Sequence, residues 1–285
     1  MDSYAAPFVP FRASDYENDG KHHVLLAASG SVATIKLPKI LEALSTHNNI
    51  SIRVVLTKSS LHFLQSSHDP SNPFHAEFPF PPSQKVAPQG HQLQSTYLDA
   101  LLHLPNVAGI YLDHHEWTTP PWKRGAPILH IELRRWADLL VIAPLSANTL
   151  AKITQGIADN LLTSVVRAWD TTGEVDGPAR LTGLRKTILV APAMNTAMWL
   201  HPVTEEQIRV LERWGDSNDA RPPWIRVFKP QKKQLACGDT GDGAMTETTV
   251  IVRAIQGYLE RWVPDEPYHP GPDFYRISDP EARCH

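Results

Sequence analysis

Three short runs of the sequence, His23–Ala28, Leu139–Ala143 and Thr187–Ala191, are apolar almost throughout. A strand with one wet face alternates, so runs like these fit strands buried on both faces. Ile52–Leu56, Gly109–Leu112 and Trp224–Phe228 read as further strands. Helix-like stretches separate them: Val32–Leu44, Leu61–Leu64, Ile128–Ala137, Ala147–Ile157, Asn160–Trp169, Glu205–Trp214 and Glu247–Leu259. This alternation predicts an α/β fold, a doubly wound parallel sheet in three layers with helices on both faces. No internal repeat interrupts it, so one domain is expected over residues 22–262. A flexible arm at 1–21 precedes it and a Pro-rich tail at 263–285, read as disordered, follows. Residues 66–106, rich in Pro, Ser, His and Gln, read as an inserted loop, and 171–184 as a surface loop.

The chain has 285 residues, enough to bury the core of one large domain. Lys and Arg number 27 against 30 Asp and Glu, a net charge of -3 that leaves no footprint for nucleic acid or an acidic membrane. The two cysteines, Cys237 and Cys284, build no disulfide framework, so a reducing, cytoplasmic compartment is expected. Neither a signal peptide nor a membrane span is visible.

In doubly wound sheets ligands bind beyond the carboxyl ends of the strands. The polar turns of this sequence all fall there. Ser29-Gly30-Ser31-Val32 follows the first strand, Thr57-Lys58-Ser59 the second, Ser146-Ala147-Asn148-Thr149 the fourth and Pro192-Ala193-Met194-Asn195 the fifth. Backbone N–H groups and hydroxyls at such turns can cradle an anion. The bland alternative is helix capping, for which Ser, Thr, Asn and Gly are favoured anyway. Neither a dinucleotide fingerprint nor a Walker A loop is present. Two hydroxyl-rich turns on one rim suggest a mononucleotide phosphate.

Three more residues stand out. Cys237 lies in a segment with three glycines within six residues, Gly238 to Gly243, which reads as a flexible flap. A free cysteine is more often a small buried hydrophobe, but a polar flap is a poor place to bury one. Asn195 follows a strand end where side chains face the crevice, with helix capping as its ordinary role. His130 sits beside the stripe Leu129, Leu133 and Trp136, on a neighbouring face that could simply be solvated. The pairs His22-His23 and His114-His115 lack partners at metal-ligand spacing, so no metal is assigned.

Taken together, Ala28–Ala33, His130–Trp136, Pro144–Thr149, Pro192–Trp199 and Leu235–Met245 resemble the homo-oligomeric flavin-containing cysteine decarboxylases. The likeness runs from about His23 to Leu259 and is strongest to the branch that acts on phosphopantothenoylcysteine in coenzyme A biosynthesis. It implies a flavodoxin-like fold, bound FMN and a homotrimer with active sites between protomers. It also implies that His130 is the catalytic base and Cys237 the proton donor. Asn195, Ala193, Met194 and Arg135 would contact the substrate, with Arg134 as the alternative to Arg135. Gly30, Ser31, Val32, Thr57, Ser59, Ser146, Ala147, Asn148 and Thr149 would contact FMN.

Members of this fold also serve as inhibitory subunits of Ser/Thr phosphatases, of the halotolerance type, or decarboxylate cysteine-terminated peptides. This chain keeps His130, Asn195 and Cys237 together and carries no acidic run, which favours the enzyme acting on a small molecule.

Overall fold

The apolar runs become the strands of one parallel sheet in the computed structural model, which describes residues 11–66, 98, 100–117, 122–179, 185–215, 223–234, 240–260 and 274. In chain order the strands are β1 (His22–Ala28), β2 (Ile50–Leu56), β3 (Val107–Leu112), β4 (Leu139–Leu145), β5 (Thr187–Pro192) and β6 (Ile225–Val227). They lie in the order β3-β2-β1-β4-β5-β6, and each neighbouring pair is parallel. The chain winds outward from β1 to β3, then crosses back to lay β4 on the free side of β1. The β1–β4 boundary is therefore the switch point, where a crevice opens beyond the strand ends. The doubly wound α/β sheet expected from the sequence is what forms. Without its edge strand β3 the order is that of the flavodoxin sheet, and with it that of the six-stranded dinucleotide-binding sheets.

The helices are α1 (Leu37–Ser45), α2 (Lys58–Ser66), α3 (Leu129–Trp136), α4 (Ala147–Gln155), α5 (Leu161–Arg167), α6 (Thr196–Trp199), α7 (Pro202–Gly215) and α8 (Thr248–Glu260). Side chains alternate along β1 to build two cores. Val24, Leu26 and Ala28 pack with Ile40, Leu41 and Leu44 of α1 and Ile251 and Ile255 of α8. Leu25 and Ala27 pack on the opposite face with Leu133 and Trp136 of α3, Leu150 of α4, Leu162 of α5 and Leu211 of α7. Among the described residues no helix is long and apolar enough to cross a membrane.

Three expectations are corrected. The helix expected over Val32–Leu44 is a 3-10 turn at Val32–Lys36 followed by α1, with Pro38 in the first turn of α1. Proline lacks an N–H and suits a first turn, not the interior of a helix begun at Val32. The N-terminal arm is packed from Phe11 onward, where Phe11 and Ala13 are buried. The cause is Arg53 of β2, which is only 3% exposed. Its guanidinium lies 4.0 Å from the ring centroid of Phe11, 4.9 Å from Tyr16 and 5.0 Å from Trp136, and it donates to the Tyr111 hydroxyl. A buried cation needs electron-rich partners, and the arm supplies two of these ring faces. In the tail, Phe274 is buried, stacked on Phe228 at 4.4 Å beneath the Arg226 guanidinium. The rest of the tail, and residues 67–97 of the inserted loop, lie outside the described residues.

Docking of the arm has a measurable consequence. Phe11→Ala removes a buried ring and is expected to cost about 3 kcal/mol in urea unfolding. An arm in solvent would change stability by no more than about 0.5 kcal/mol.

Candidate active site at the switch point

A cavity of about 280 Å³ opens beyond the carboxyl ends of β1, β2, β3 and β4. Six of the nine residues expected to contact a cofactor line it: Gly30, Thr57, Ser59, Ser146, Asn148 and Thr149. Ser31, Val32 and Ala147 are their chain neighbours and do not line it. The hydroxyls are fixed by capping. Ser31 accepts from the Ala33 N–H at 3.4 Å, Thr57 from the Ser60 N–H at 3.3 Å and Ser146 from the Thr149 N–H at 3.3 Å. Gly30 is required by close approach, since a Cβ there would stand 2.6 Å from the Ser59 Cβ. Both readings of these turns are therefore true at once: they cap helices, and the helix starts they fix face one cavity.

Lys58, of the turn Thr57-Lys58-Ser59, and Asp113, Lys152, Asp159 and Asn160 complete the lining, and the last four were missed from the sequence. Asp113 directly follows β3, so the strand-end rule could have found it. Burial pushes its carboxyl above the usual range, while its Oδ1 accepts the Leu161 N–H at 3.1 Å. Lys152 and Asp159 meet at 2.6 Å across a turn at Gly156, whose φ of 73° is open to glycine. No helical spacing would have paired them.

His130 stands in the first turn of α3 with its side chain 23% exposed. Its backbone N–H donates to Glu116 Oε2 at 3.1 Å, and its Nδ1 lies 2.5 Å from Glu116 Oε1. Two other histidines considered from the sequence, His23 and His115, are buried among structural partners. His23 stacks on Trp136 at 4.4 Å. His115 Nδ1 accepts the Leu112 N–H at 3.1 Å, and burial together with His114 pushes its pKa down to about 4. The two arginines of α3 diverge. Arg134 is 11% exposed and pairs with Asp176 at 2.7 Å, whereas Arg135 is 53% exposed and meets Glu132 at 3.2 Å.

Asn195 is exposed and caps α6, accepting the Met198 N–H at 2.8 Å through Oδ1. The side chains of Ala193 and Met194 are buried beneath it in the two cores. Part of the glycine-rich segment is built into a hairpin. Its flanks form an antiparallel hairpin, β7 (Gln231–Gln234) and β8 (Thr240–Ala244), docked on the Asn195 loop. The Met194 N–H donates to the Gly243 carbonyl at 3.0 Å. A Cβ at Gly241 would meet Thr196 Oγ1 at 2.4 Å, and one at Gly243 the Met194 carbonyl at 2.7 Å. Gly241 thus permits close approach of the Thr196 side chain, and Gly243 that of the Met194 backbone. Residues 235–239, Cys237 among them, lie outside the described residues.

The structure thus brings six of the nine residues expected at a cofactor to one cavity, and sets the neighbours of Asn195, Met194 and Thr196, against the hairpin. His130, Arg135 and Asn195 do not line the cavity.

Residues 12–260 match the family model described as Flavoprotein. A phosphopantothenoylcysteine decarboxylase of Arabidopsis thaliana is 41% identical over 241 residues, covering 84% of this chain and 86% of that one. A solved cysteine-to-serine mutant of PPC decarboxylase, complexed with pantothenoylaminoethenethiol, is 40% identical with a TM-score of 0.58, covering 85% of this chain and 100% of that one. The FMN binding protein AtHal3 is 40% identical with a TM-score of 0.57, covering 84% and 97%. With the sheet, the cavity and these relatives in agreement, the chain belongs to the phosphopantothenoylcysteine decarboxylase family of flavoproteins.

Proposed function

We propose that this chain decarboxylates phosphopantothenoylcysteine to phosphopantetheine with FMN bound at the switch point. The observation that carries the reading is the cavity, whose hydroxyls and helix starts suit a phosphate and where Gly30 lets Ser59 stand close against the first turn. Lys58 adds a positive charge to the lining, while Lys152 is paired with Asp159. The family supports a flavin, and the likeness to an FMN binding protein supports FMN in particular.

The chemistry explains why a flavin belongs here. Loss of CO2 directly from the cysteine carboxylate would leave a carbanion with no electron sink. Bound FMN supplies a reversible hydride acceptor, which allows the thiol to become a thioaldehyde whose C=S lies β to the carboxylate. CO2 then departs to leave an enethiolate, as a β-keto acid leaves an enolate. The protein's part is to move protons and hold the substrate. His130 takes the thiol proton as the hydride leaves carbon. Asn195 uses Oδ1 for its cap, which keeps its amide N–H groups for substrate. Arg135, the more exposed arginine of α3, is suited to an anionic group of the substrate. Cys237 returns a proton to the enethiolate, and the hydride taken at the start goes back to the sulfur-bearing carbon, so the product is the saturated thiol and the reaction is redox-neutral overall. The solved relative, a cysteine-to-serine mutant holding pantothenoylaminoethenethiol, supports that order of events.

The reacting groups are proposed to meet between protomers of a homotrimer. Trp117 and Ile128 are exposed on the segments around His130, and Met198, Leu200 and Val203 are exposed beyond Asn195. Apolar side chains on both sets of catalytic groups suit faces that cover one another.

Three outcomes test this reading. Gly30→Ala forces Ser59 aside in the cavity lining, and a loss of about 1–3 kcal/mol there corresponds to roughly 5- to 150-fold weaker FMN binding by flavin fluorescence. Unchanged FMN affinity would place the flavin elsewhere. Co-expressed His130→Ala and Cys237→Ala chains, each inactive alone, should regain activity. Mixed oligomers that stay inactive would show that each protomer builds its site alone. In single-turnover experiments Cys237→Ser should release CO2 and accumulate the enethiol, whereas His130→Ala should stop before CO2 appears. Saturated product from Cys237→Ser at the wild-type rate would remove the cysteine from the mechanism.

A further inference from the structure

Glu116 stands behind His130 and divides its carboxylate between two groups of that one residue. Oε2 accepts the backbone N–H at 3.1 Å and Oε1 lies 2.5 Å from Nδ1. The Glu116 side chain is 3% exposed and the His130 side chain 23%, so the carboxylate is enclosed while the ring keeps an open side. The residue before α3, Ile128, has no side chain to cap the helix, and Glu116 meets one of its free N–H groups instead. An ionised carboxylate only accepts hydrogen bonds, so it is matched to Nδ1 when that nitrogen carries the proton.

We propose that Glu116 is the positioning residue of this site, holding the His130 ring as the Nδ1–H tautomer so that Nε2 keeps its lone pair for the substrate proton. The proposal rests on His130 being the base. It makes Glu116 more than a helix cap, because a cap needs one oxygen and this carboxylate uses two.

Glu116→Gln has the same shape but cannot reproduce the arrangement. Its amide offers one accepting oxygen and an NH2 that only donates. With the oxygen on the backbone N–H, the NH2 faces Nδ1, which must then accept, and the ring proton moves to Nε2. Such a ring cannot take a proton where the substrate stands.

The test is ¹⁵N NMR of histidine-labelled, FMN-loaded protein at about pH 9, where a free imidazole is neutral. The His130 signals are identified by their loss in His130→Ala. In the wild type Nδ1 is expected to carry the proton, and in Glu116→Gln Nε2. The variant should lose about 100-fold or more in kcat, the known consequence of a wrong tautomer in a carboxylate–histidine pair, with KM and FMN content within roughly twofold. A wild-type ring protonated at Nε2 overturns the proposal without any variant, and so covers the case in which Glu116→Gln fails to fold. Glu116→Gln that keeps Nδ1–H, or that inverts the tautomer at full kcat while His130→Ala is inactive, overturns it as well. Full activity in His130→Ala would instead sink the base assignment, and the tautomer measurement would still decide what Glu116 does.

Discussion

Both ends of β1 are joined to the β4 side of the sheet by polar groups that have no water to fall back on. At the start, the His23 N–H donates to Asp138 Oδ2 at 2.8 Å and the Asp138 N–H donates to the His23 carbonyl at 2.8 Å. The His23 ring lies on Trp136, 10° from parallel, with Nδ1 3.0 Å from the Trp136 carbonyl. At the far end, the Ser29 N–H and hydroxyl both donate to the Pro144 carbonyl, at 3.0 and 3.1 Å, and the Ser146 N–H donates to Ser29 Oγ at 2.8 Å. His23, Ser29, Asp138 and Ser146 are all buried. Losing one partner in such a setting leaves a group unsatisfied at a cost of about 1–3 kcal/mol. The turns at Gly30 and Ser146 are the next residues along each strand, so their separation is set by this seam. The rest of the crevice follows from it.

The same economy explains why capping and binding were hard to tell apart from sequence. A cap spends the side-chain oxygen of Ser31, Thr57, Ser146 or Asn195 on one N–H of its own helix. Other N–H groups of that first turn have no partner within the helix. When several capped helices begin on one rim, their remaining donors face the same space. The small polar residues fix where those donors point, and the backbone supplies much of the field.

Legibility followed the kind of interaction. Strands and the stripe Leu129, Leu133 and Trp136 were readable because burial on a fixed period leaves its mark in consecutive residues. The arm was not, because Phe11 and Tyr16 are two aromatic residues without a pattern and their partner, Arg53, is a charge in a strand, where exposure is the ordinary guess. Glu116 was invisible for a similar reason. It reaches His130 across fourteen residues with no helical or strand spacing between them. Gly241 and Gly243 were seen only as a source of motion, since composition shows that glycine permits motion and packing shows that it also permits contact. Family likeness, not physics, separated Arg135 from Arg134 in the sequence. The structure adds the physical difference, because Arg134 is occupied by Asp176 and the Ala168 carbonyl.

That difference belongs to a larger arrangement around α3. An eight-residue helix is too short to be stable by itself, so its orientation comes from what it touches. Its buried stripe sets the depth, and three polar contacts set the rotation. Glu116 holds the start through His130. Arg134 holds the far side through Asp176, on a loop that Asp170 organises by accepting the N–H groups of Thr172, Gly173, Val175 and Asp176. Glu132 holds the near side, its Oε2 accepting the Ala13 N–H of the arm at 2.8 Å and its Oε1 facing Arg135. The Arg135 pair is half exposed and worth at most about 1 kcal/mol, so it adds little to stability. The buried, charge-assisted bond to the arm is the stronger of the two. Arg135 is thus aimed by a carboxylate whose own position is set by the arm. The arm was expected to be loose, yet it ends up one contact away from the arginine proposed to meet the substrate.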